Sequence, residues 1–146
     1  MHSWRDDVSP DAQAEMDRLL DSALRVAQSN LAQAAEFEPF AIVMDNGGRV
    51  MEVGLDTTGL GKHPESDVLI DNATRHLRQA RDVAHCTALV INTRLSKERT
   101  DAVEIRLEHR ERAALVVFLR YKRATFGNKV DYGDLSAFSG THDVWA

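Results

Sequence analysis

The chain has 146 residues, the usual size of one domain, and 43% of them are apolar while 28% are charged. This composition excludes a disordered chain, and the lone cysteine, Cys86, excludes a scaffold of internal disulfides. The net charge of −5 disfavours nucleic acid as a partner. No apolar run is long enough to cross a bilayer, and residues 1–7 lack the apolar stretch of a secretory signal. We therefore predict one cytoplasmic domain over residues 1–146, with residues 1–8 as an N-terminal arm and no membrane partner.

The first predicted element is a long helix. Ser9 is a favourable N-cap, and Pro10 fits the first turn, where its missing N–H group is not needed. Apolar residues then recur at steps of three and four from Ala12 to Ala34, and the pattern ends near Glu36. Such a helix would be about 40 Å long, which is more than a domain of this size needs. We expect either a protruding end or a partner that lies along it.

A hairpin and a second helix are predicted next. The apolar strand 40–44 leads into the turn 45–49, whose Asn-Gly pair readily adopts positive φ angles, and residues 50–53 return as a strand. Residues 54–64 form a loop with three glycines and a proline. The second helix then extends from about residue 65 to residue 82. Its apolar stripe consists of Leu69, Ala73, Leu77 and Ala80.

Three more strands and a tail complete the chain. Residues 87–95 form the third strand, and residues 103–109 alternate apolar with polar side chains, which predicts one buried and one solvated face. Residues 113–119 are apolar on both faces, as is typical of a strand inside a sheet. The tail over 123–146 carries several large apolar residues, so we expect it to be ordered and to pack on the domain.

These elements predict an α+β fold with the order α-β-β-α-β-β-β plus an ordered tail. Because the first and fifth strands are apolar on both faces, we place them at the centre of a five-stranded antiparallel sheet of order 2-1-5-4-3. Both helices are expected on one face of this sheet. On the other face, Ala114, Val116 and Phe118 need a cover, which either the tail or a second subunit would supply.

The order of elements resembles the roadblock, longin and profilin-like group of small folds over roughly residues 10–122. The segments Phe37-Glu38-Pro39-Phe40-Ala41 and Asp45-Asn46-Gly47-Gly48, with Tyr132-Gly133-Asp134-Leu135 and Trp145, are also similar to a family of bacterial proteins of about this length with no assigned activity. Roadblock-type proteins are non-enzymatic, and they often dimerise or serve as scaffolds for small GTPases. This resemblance implies a dimer.

Candidate catalytic and metal-binding residues do not form a recognisable motif. No pair among His76, His85, Cys86 and His109 has the close spacing of a structural zinc site, and a small buried cysteine is the commoner interpretation of Cys86. The loop over 54–64 departs from a phosphate-binding loop. We therefore predict no catalytic residue, no metal site and no cofactor. His109 continues the apolar face of the fourth strand. It is interpreted either as a histidine at the rim of the sheet or as a pocket residue near the sheet edge.

The favoured hypothesis is a small non-catalytic protein that binds a protein partner or associates with itself as a homodimer. It rests on the long helix and on the apolar outer face of the fifth strand. The predicted interface residues are Leu20, Leu24, Leu31, Val116 and Phe118.

The alternative is an enzyme or a small-ligand-binding domain. Its pocket would lie where the loop over 54–64 meets the tail, with His63, Arg94, His109 and Asp134 as polar groups. A weaker third possibility is a nucleic-acid contact through the basic residues around two hairpin turns, which the acidic net charge disfavours.

Overall fold

The computed structural model describes residues 4–127 and 129–146. In these ranges the chain forms two α-helices, α1 (Pro10–Gln33) and α2 (Ser66–Ala80), and short 3₁₀ helices at Trp4–Asp7 and Arg81–Val83. The strands are β1 (Phe40–Asp45), β2 (Val50–Glu52), β3 (Ala84–Leu95), β4 (Thr100–His109), β5 (Ala113–Arg123) and β6 (Val130–Ser139). The predicted α+β class with two helices and a single antiparallel sheet is confirmed. Residues 1–3 of the predicted N-terminal arm lie outside the described residues.

Local signals in the sequence account for α1. The Ser9 hydroxyl accepts a hydrogen bond from the Ala12 N–H group at 3.1 Å, and Pro10 is the first helical residue. The helix ends at Gln33, and its 24 residues span about 36 Å. One side is buried against the sheet, through Met16, Leu19, Ala23, Ala27 and Leu31. Neither described α-helix combines the length and the apolar character needed to span a membrane.

The turn between β1 and β2 follows the chemistry of its residues. The Asp45 carboxylate accepts hydrogen bonds from the backbone N–H groups of Gly47 and Arg49, both at 2.9 Å. Gly48 has a φ of 82°, which is a left-handed conformation that glycine adopts without steric cost. The tight hairpin therefore sets the antiparallel register that pairs Val43 with Met51.

The predicted strand order was wrong. The sheet has six strands in the order β2-β1-β3-β4-β5-β6, whereas five strands in the order 2-1-5-4-3 were expected. The third strand, not the fifth, lies beside β1, with Phe40 opposite Val90. In β3 every residue from Cys86 to Ile91 is buried, whereas β5 alternates between buried and half-buried residues from Ala113 onward. Both strands have long apolar runs, so composition did not show which one is enclosed on both faces.

The sixth strand lies within the segment that was expected to be a packed tail. β6 is antiparallel to β5, with Phe138 opposite Val116 and Asp131 opposite Lys122. Most of its side chains are exposed, and it includes small and acidic residues such as Gly133 and Asp134. A strand at the edge of a sheet needs neither two apolar faces nor a regular alternation, which is why the pattern was not recognised.

The prediction that both helices share one face was also wrong. Ile42, Val90 and Ile105 point to the face that α1 covers, and they form one core with that helix. The side chains of Ala41, Val43, Leu89 and Ile91 point to the opposite face, where they form a second core with Ala73 and Leu77 of α2. The sheet therefore lies between the helices. Of the strands, β1 and β3 are in extensive contact with α2, so neither of the two described α-helices covers the face of β4, β5 and β6 opposite α1.

Candidate functional site

The candidate functional site is a groove on the sheet face opposite α1. We call this face the outer face and the cavity in it the outer groove. The outer groove lies between α2, the segment 140–146 and the outward side chains of β4, β5 and β6. Its volume is about 430 Å³, which falls within the range of small-molecule pockets. Its apolar lining includes Leu77, Leu89, Val116, Phe118, Phe138 and Val144.

One wall of the outer groove depends on Glu108 of β4. This carboxylate is buried and accepts hydrogen bonds from the backbone N–H groups of Asp143, Val144 and Trp145, at 2.9, 2.9 and 2.6 Å. Hydrogen bonds to a charged group are among the strongest in proteins, and three donors satisfy most of this carboxylate. Glu108 therefore holds the end of the chain against the sheet.

The same segment is fixed from α2 and from β5. Arg78 and Arg81 donate hydrogen bonds to the carbonyl groups of Asp143 and Val144, at 2.5 and 2.9 Å. At its start, the N–H group of Gly140 donates to the carbonyl of Ala114 at 3.0 Å. A Cβ atom on Gly140 would lie 3.0 Å from the backbone of Leu115 in β5. Glycine, which has no Cβ atom, permits this close approach. The wall is thus part of the fold.

The floor of the outer groove is mostly apolar with one ion pair. The rings of Phe118 and Phe138 meet edge to face with their centroids 6.0 Å apart. Beside them, Arg106 Nε donates a hydrogen bond to Glu104 at 2.7 Å. Next to Glu108 on the neighbouring strand, Thr87 lines the deep end of the groove.

A second polar cluster lies on the other face, between α1 and the sheet. Glu15 of α1 accepts hydrogen bonds from His85 Nδ1 at 2.6 Å and from His109 Nε2 at 3.0 Å. The other ring nitrogen of His109 accepts a hydrogen bond from the Glu111 N–H group at 3.0 Å. Both ring nitrogens of His109 therefore have hydrogen-bond partners within the fold.

The environment of this cluster favours the charged carboxylate of Glu15. Partial burial by itself raises the pKa of Glu15, but hydrogen bonds from His85 and His109 outweigh that effect and leave the pKa lowered. Burial, with the nearby negative charge of Glu15, raises the pKa of the Cys86 thiol, so this cysteine stays protonated. His109 and Cys86 are completely buried. The cluster therefore ties α1 to the sheet, and its geometry is that of a structural contact.

Metal binding receives no support from the described residues. Within residues 4–127 and 129–146, no group of three or more histidine, cysteine, aspartate or glutamate side chains has an arrangement that could hold a metal ion. In the cluster of Glu15, His85 and His109, the carboxylate accepts one hydrogen bond from each histidine.

The four residues of the predicted pocket lie in different surroundings. His63 is exposed in the loop before α2, and His109 is buried beneath α1. Arg94 is exposed near the end of β3, where it donates a hydrogen bond to Asp101 at 3.1 Å. Asp134 is exposed on β6 and lines a depression beside Tyr132. Arg94 and His109 mark opposite ends of the paired strands β3 and β4.

The five predicted interface residues divide between the two faces of the sheet. Leu31 is fully buried in the core beneath α1, while Leu20 and Leu24 are half-buried at the edge of the same core. Val116 and Phe118 lie on the outer face, half-buried, and both line the outer groove.

Sequence reasoning missed the two polar residues at the deep end of the outer groove. Glu108 belongs to an alternating strand and was expected on a solvated face, and nothing in the local pattern shows that three N–H groups from residues 143–145 meet it. Thr87 was included only as the first residue of an apolar run. The burial of the Glu108 carboxylate indicates a partner from elsewhere in the chain, but only the folded structure identifies that partner as residues 143–145.

Comparison with known proteins assigns this chain to no group. It matches no protein-family model, no curated protein and no solved structure.

Proposed function

We propose that this protein is a cytoplasmic, non-catalytic binding module that associates with a second copy of itself along the free edge of β6. The observation that carries the proposal is the asymmetry between the two edges of the sheet. At one edge, β2 has three residues, which limits its capacity to pair with another strand. At the other edge, β6 has ten residues, and among residues 4–127 and 129–146 only β5 is paired with it.

The side chains of β6 support pairing with another strand. Leu135 is 51% exposed on the α1 side of the sheet, and Phe138 is 55% exposed on the outer face. An exposed edge of this length with apolar residues on both faces readily accepts a strand from another molecule. Antiparallel pairing of two β6 strands around a twofold axis near Leu135 would bury these residues symmetrically, as an isologous dimer requires.

The chemistry of the described residues favours a binding module over an enzyme. Glu15 is hydrogen-bonded to His85 and His109 between α1 and the sheet, and the Cys86 thiol is protonated and buried. Nucleophilic or acid–base catalysis requires such groups to contact a substrate. In the outer groove, Glu104 and Arg106 pair with each other and Glu108 accepts three backbone hydrogen bonds, so these charged groups are suited to structural contact rather than to reaction.

The oligomeric state tests this proposal. Sedimentation equilibrium of the full chain is expected to give twice the chain mass of 16.3 kDa. Leu135→Lys places like charges at the twofold axis and is expected to give the monomer mass. Val83→Lys is the matched control, because Val83 is 62% exposed but lies outside the sheet. A wild-type monomer at all concentrations, or a Leu135→Lys dimer, would contradict the proposal.

A further inference from the structure

One buried hydroxyl group in the outer groove has no hydrogen-bond partner. Thr87 is 1% exposed, and its Oγ1 atom is unpaired within the described part of the chain. Burying a hydroxyl without a hydrogen bond is unfavourable, so buried hydroxyls are normally paired with protein or ordered water. In contrast, the Thr74 hydroxyl in the same groove donates to the Ile70 carbonyl at 2.9 Å. Thr87 is among the residues that line the outer groove, so a molecule bound there would lie beside the residue that carries this unpaired hydroxyl.

We infer that the outer groove is a binding site for an uncharged, largely apolar organic molecule that has one hydrogen-bonding group directed at Thr87. The site goes beyond the proposed self-association, which concerns the edge of β6. Thr87 supplies the specific polar contact at the deep end, where α2 and residue Val144 close over the sheet. The rest of the molecule would lie over the apolar floor toward β6.

The dimensions and lining of the groove indicate a ring-bearing molecule. From β3, which carries Thr87, to β6, which carries Phe138, there are three strand spacings, or about 14 Å. The edge-to-face pair of Phe118 and Phe138 offers ring surfaces at the open end of the groove. Val116 of β5 lies on the same floor, directly opposite Phe138 of β6. Aromatic ligands gain both apolar contact and favourable ring geometry against such a surface.

The charges in the groove indicate that the ligand is uncharged. Of the charged lining residues, Glu104 and Arg106 form an ion pair with each other at 2.7 Å, and Asp143 accepts a hydrogen bond from the Thr141 hydroxyl at 2.8 Å. Glu108 accepts three backbone hydrogen bonds from the segment that closes the groove. A charged ligand would have to displace one of these internal partners and would itself be desolvated, which opposes binding. A neutral molecule meets neither cost.

The site can be tested with three naphthalene derivatives of nearly the same shape. 2-Naphthol has an apolar body and one hydroxyl, naphthalene lacks the hydroxyl, and 2-naphthoate has a negative charge. Fluorescence titration of the full chain is expected to show saturable binding of 2-naphthol. We expect its affinity to exceed that of naphthalene about three- to tenfold, the effect of one net hydrogen bond. The affinity for 2-naphthoate is expected to be the weakest.

Two threonine variants locate the hydrogen bond. Thr87→Val keeps the side-chain shape but removes the unpaired hydroxyl, so the preference for 2-naphthol over naphthalene is expected to disappear while naphthalene still binds. Thr74→Val is the matched control, because it removes a hydroxyl from the same groove that already has an internal partner. It is expected to retain the preference. Circular dichroism confirms that each variant is folded before titration.

Several results would overturn the inference. They are the absence of saturable 2-naphthol binding to folded wild-type protein, equal affinity for 2-naphthol and naphthalene, strongest binding of 2-naphthoate, or an unchanged preference in Thr87→Val. The Leu135→Lys variant is expected to keep the preference for 2-naphthol over naphthalene, because the hydrogen bond that sets this preference is made at Thr87 of β3 and not at β6. Failure of the dimer proposal therefore leaves this inference standing, and the two are distinguished by separate measurements.

Discussion

The two faces of the sheet are built in different ways. On one face, α1 crosses the sheet and encloses side chains from β1, β3, β4 and β5 in a continuous core. On the outer face, α2 covers β1 and β3, and the outward side chains of β5 stay half-buried. The length of the helices accounts for part of this difference, because α1 has 24 residues and α2 has 15, or about 36 Å against 22 Å. A sheet of six strands is too wide for the shorter helix.

Each face also contains one carboxylate that joins distant segments, half-buried in the case of Glu15 and buried in the case of Glu108. Glu15 joins α1 to two histidines of the sheet, so its contacts lie within a closed interface. Glu108 fixes the end of the chain and leaves a cavity beside it. The α1 face therefore holds the larger apolar core, whereas the outer face has a smaller core and a groove beside it. Four predictions test this division.

The largest effect is expected for Glu108→Ala. Removal of the carboxylate leaves three backbone N–H groups of residues 143–145 without their acceptor, and we expect the free energy of unfolding to fall by about 3 kcal/mol. Hydrogen exchange at Val144 and Trp145 should accelerate. Glu104→Ala is the control on the same strand and face, and it is expected to cost about 1 kcal/mol or less. Equal costs for the two variants would remove the role assigned to Glu108.

Two adjacent valines of β5 compare the faces directly. Val117 is 3% exposed beneath α1, while Val116 is half-buried on the outer face. Val117→Ala is expected to lower the free energy of unfolding by about 2 kcal/mol, because it removes buried methyl groups and leaves a cavity. Val116→Ala is expected to lower it by about 0.5 kcal/mol. Urea denaturation of both variants measures the difference, and similar losses would mean that the outer face is as tightly packed as the other.

A smaller effect is expected in the pH dependence of the α1 face. The pKa of Glu15 is lowered in the folded protein from the ordinary value of 4.5, so below that pH the unfolded state binds more protons. The stabilisation from Glu15 is therefore complete above about pH 4.5 and is lost as the pH falls through the lowered pKa. Glu15→Gln is expected to lose stability less steeply with acid. Identical slopes in denaturation curves from pH 6 to pH 3 would contradict this role.

The smallest change is expected for Thr87→Val, and it has the opposite sign. Without a ligand, replacing an unpaired buried hydroxyl by a methyl group is expected to raise the free energy of unfolding by about 1 kcal/mol. Thr74→Val removes a hydroxyl that has a partner, so it is expected to leave stability unchanged or slightly reduced. If Thr87→Val destabilised the protein, the hydroxyl would have a partner within the fold.

Several elements were predictable because their signals are local. Ser9 and Pro10 marked the start of α1, and the residues around Asp45 marked the β1–β2 hairpin. The alternation in β4 also placed His109 on the same face as Ile105, where both are buried. β6 escaped prediction because an exposed edge strand needs no apolar face. The outer groove was not predicted because its walls come from segments that are far apart in the sequence, namely α2, β4, β5, β6 and the end of the chain.

Helix caps, turn residues and the spacing of apolar side chains were enough to establish which segments are helices and which of their sides are buried, since these properties depend on neighbours a few residues away. The strand order, the placement of the helices on opposite faces and the partners of Glu108 and Thr87 emerged only in the folded molecule. A periodic pattern shows that a face is covered, but it does not show what covers it. The cover depends on which distant segments pair. For example, β1 pairs with β3 although β2 and α2 lie between them in the sequence.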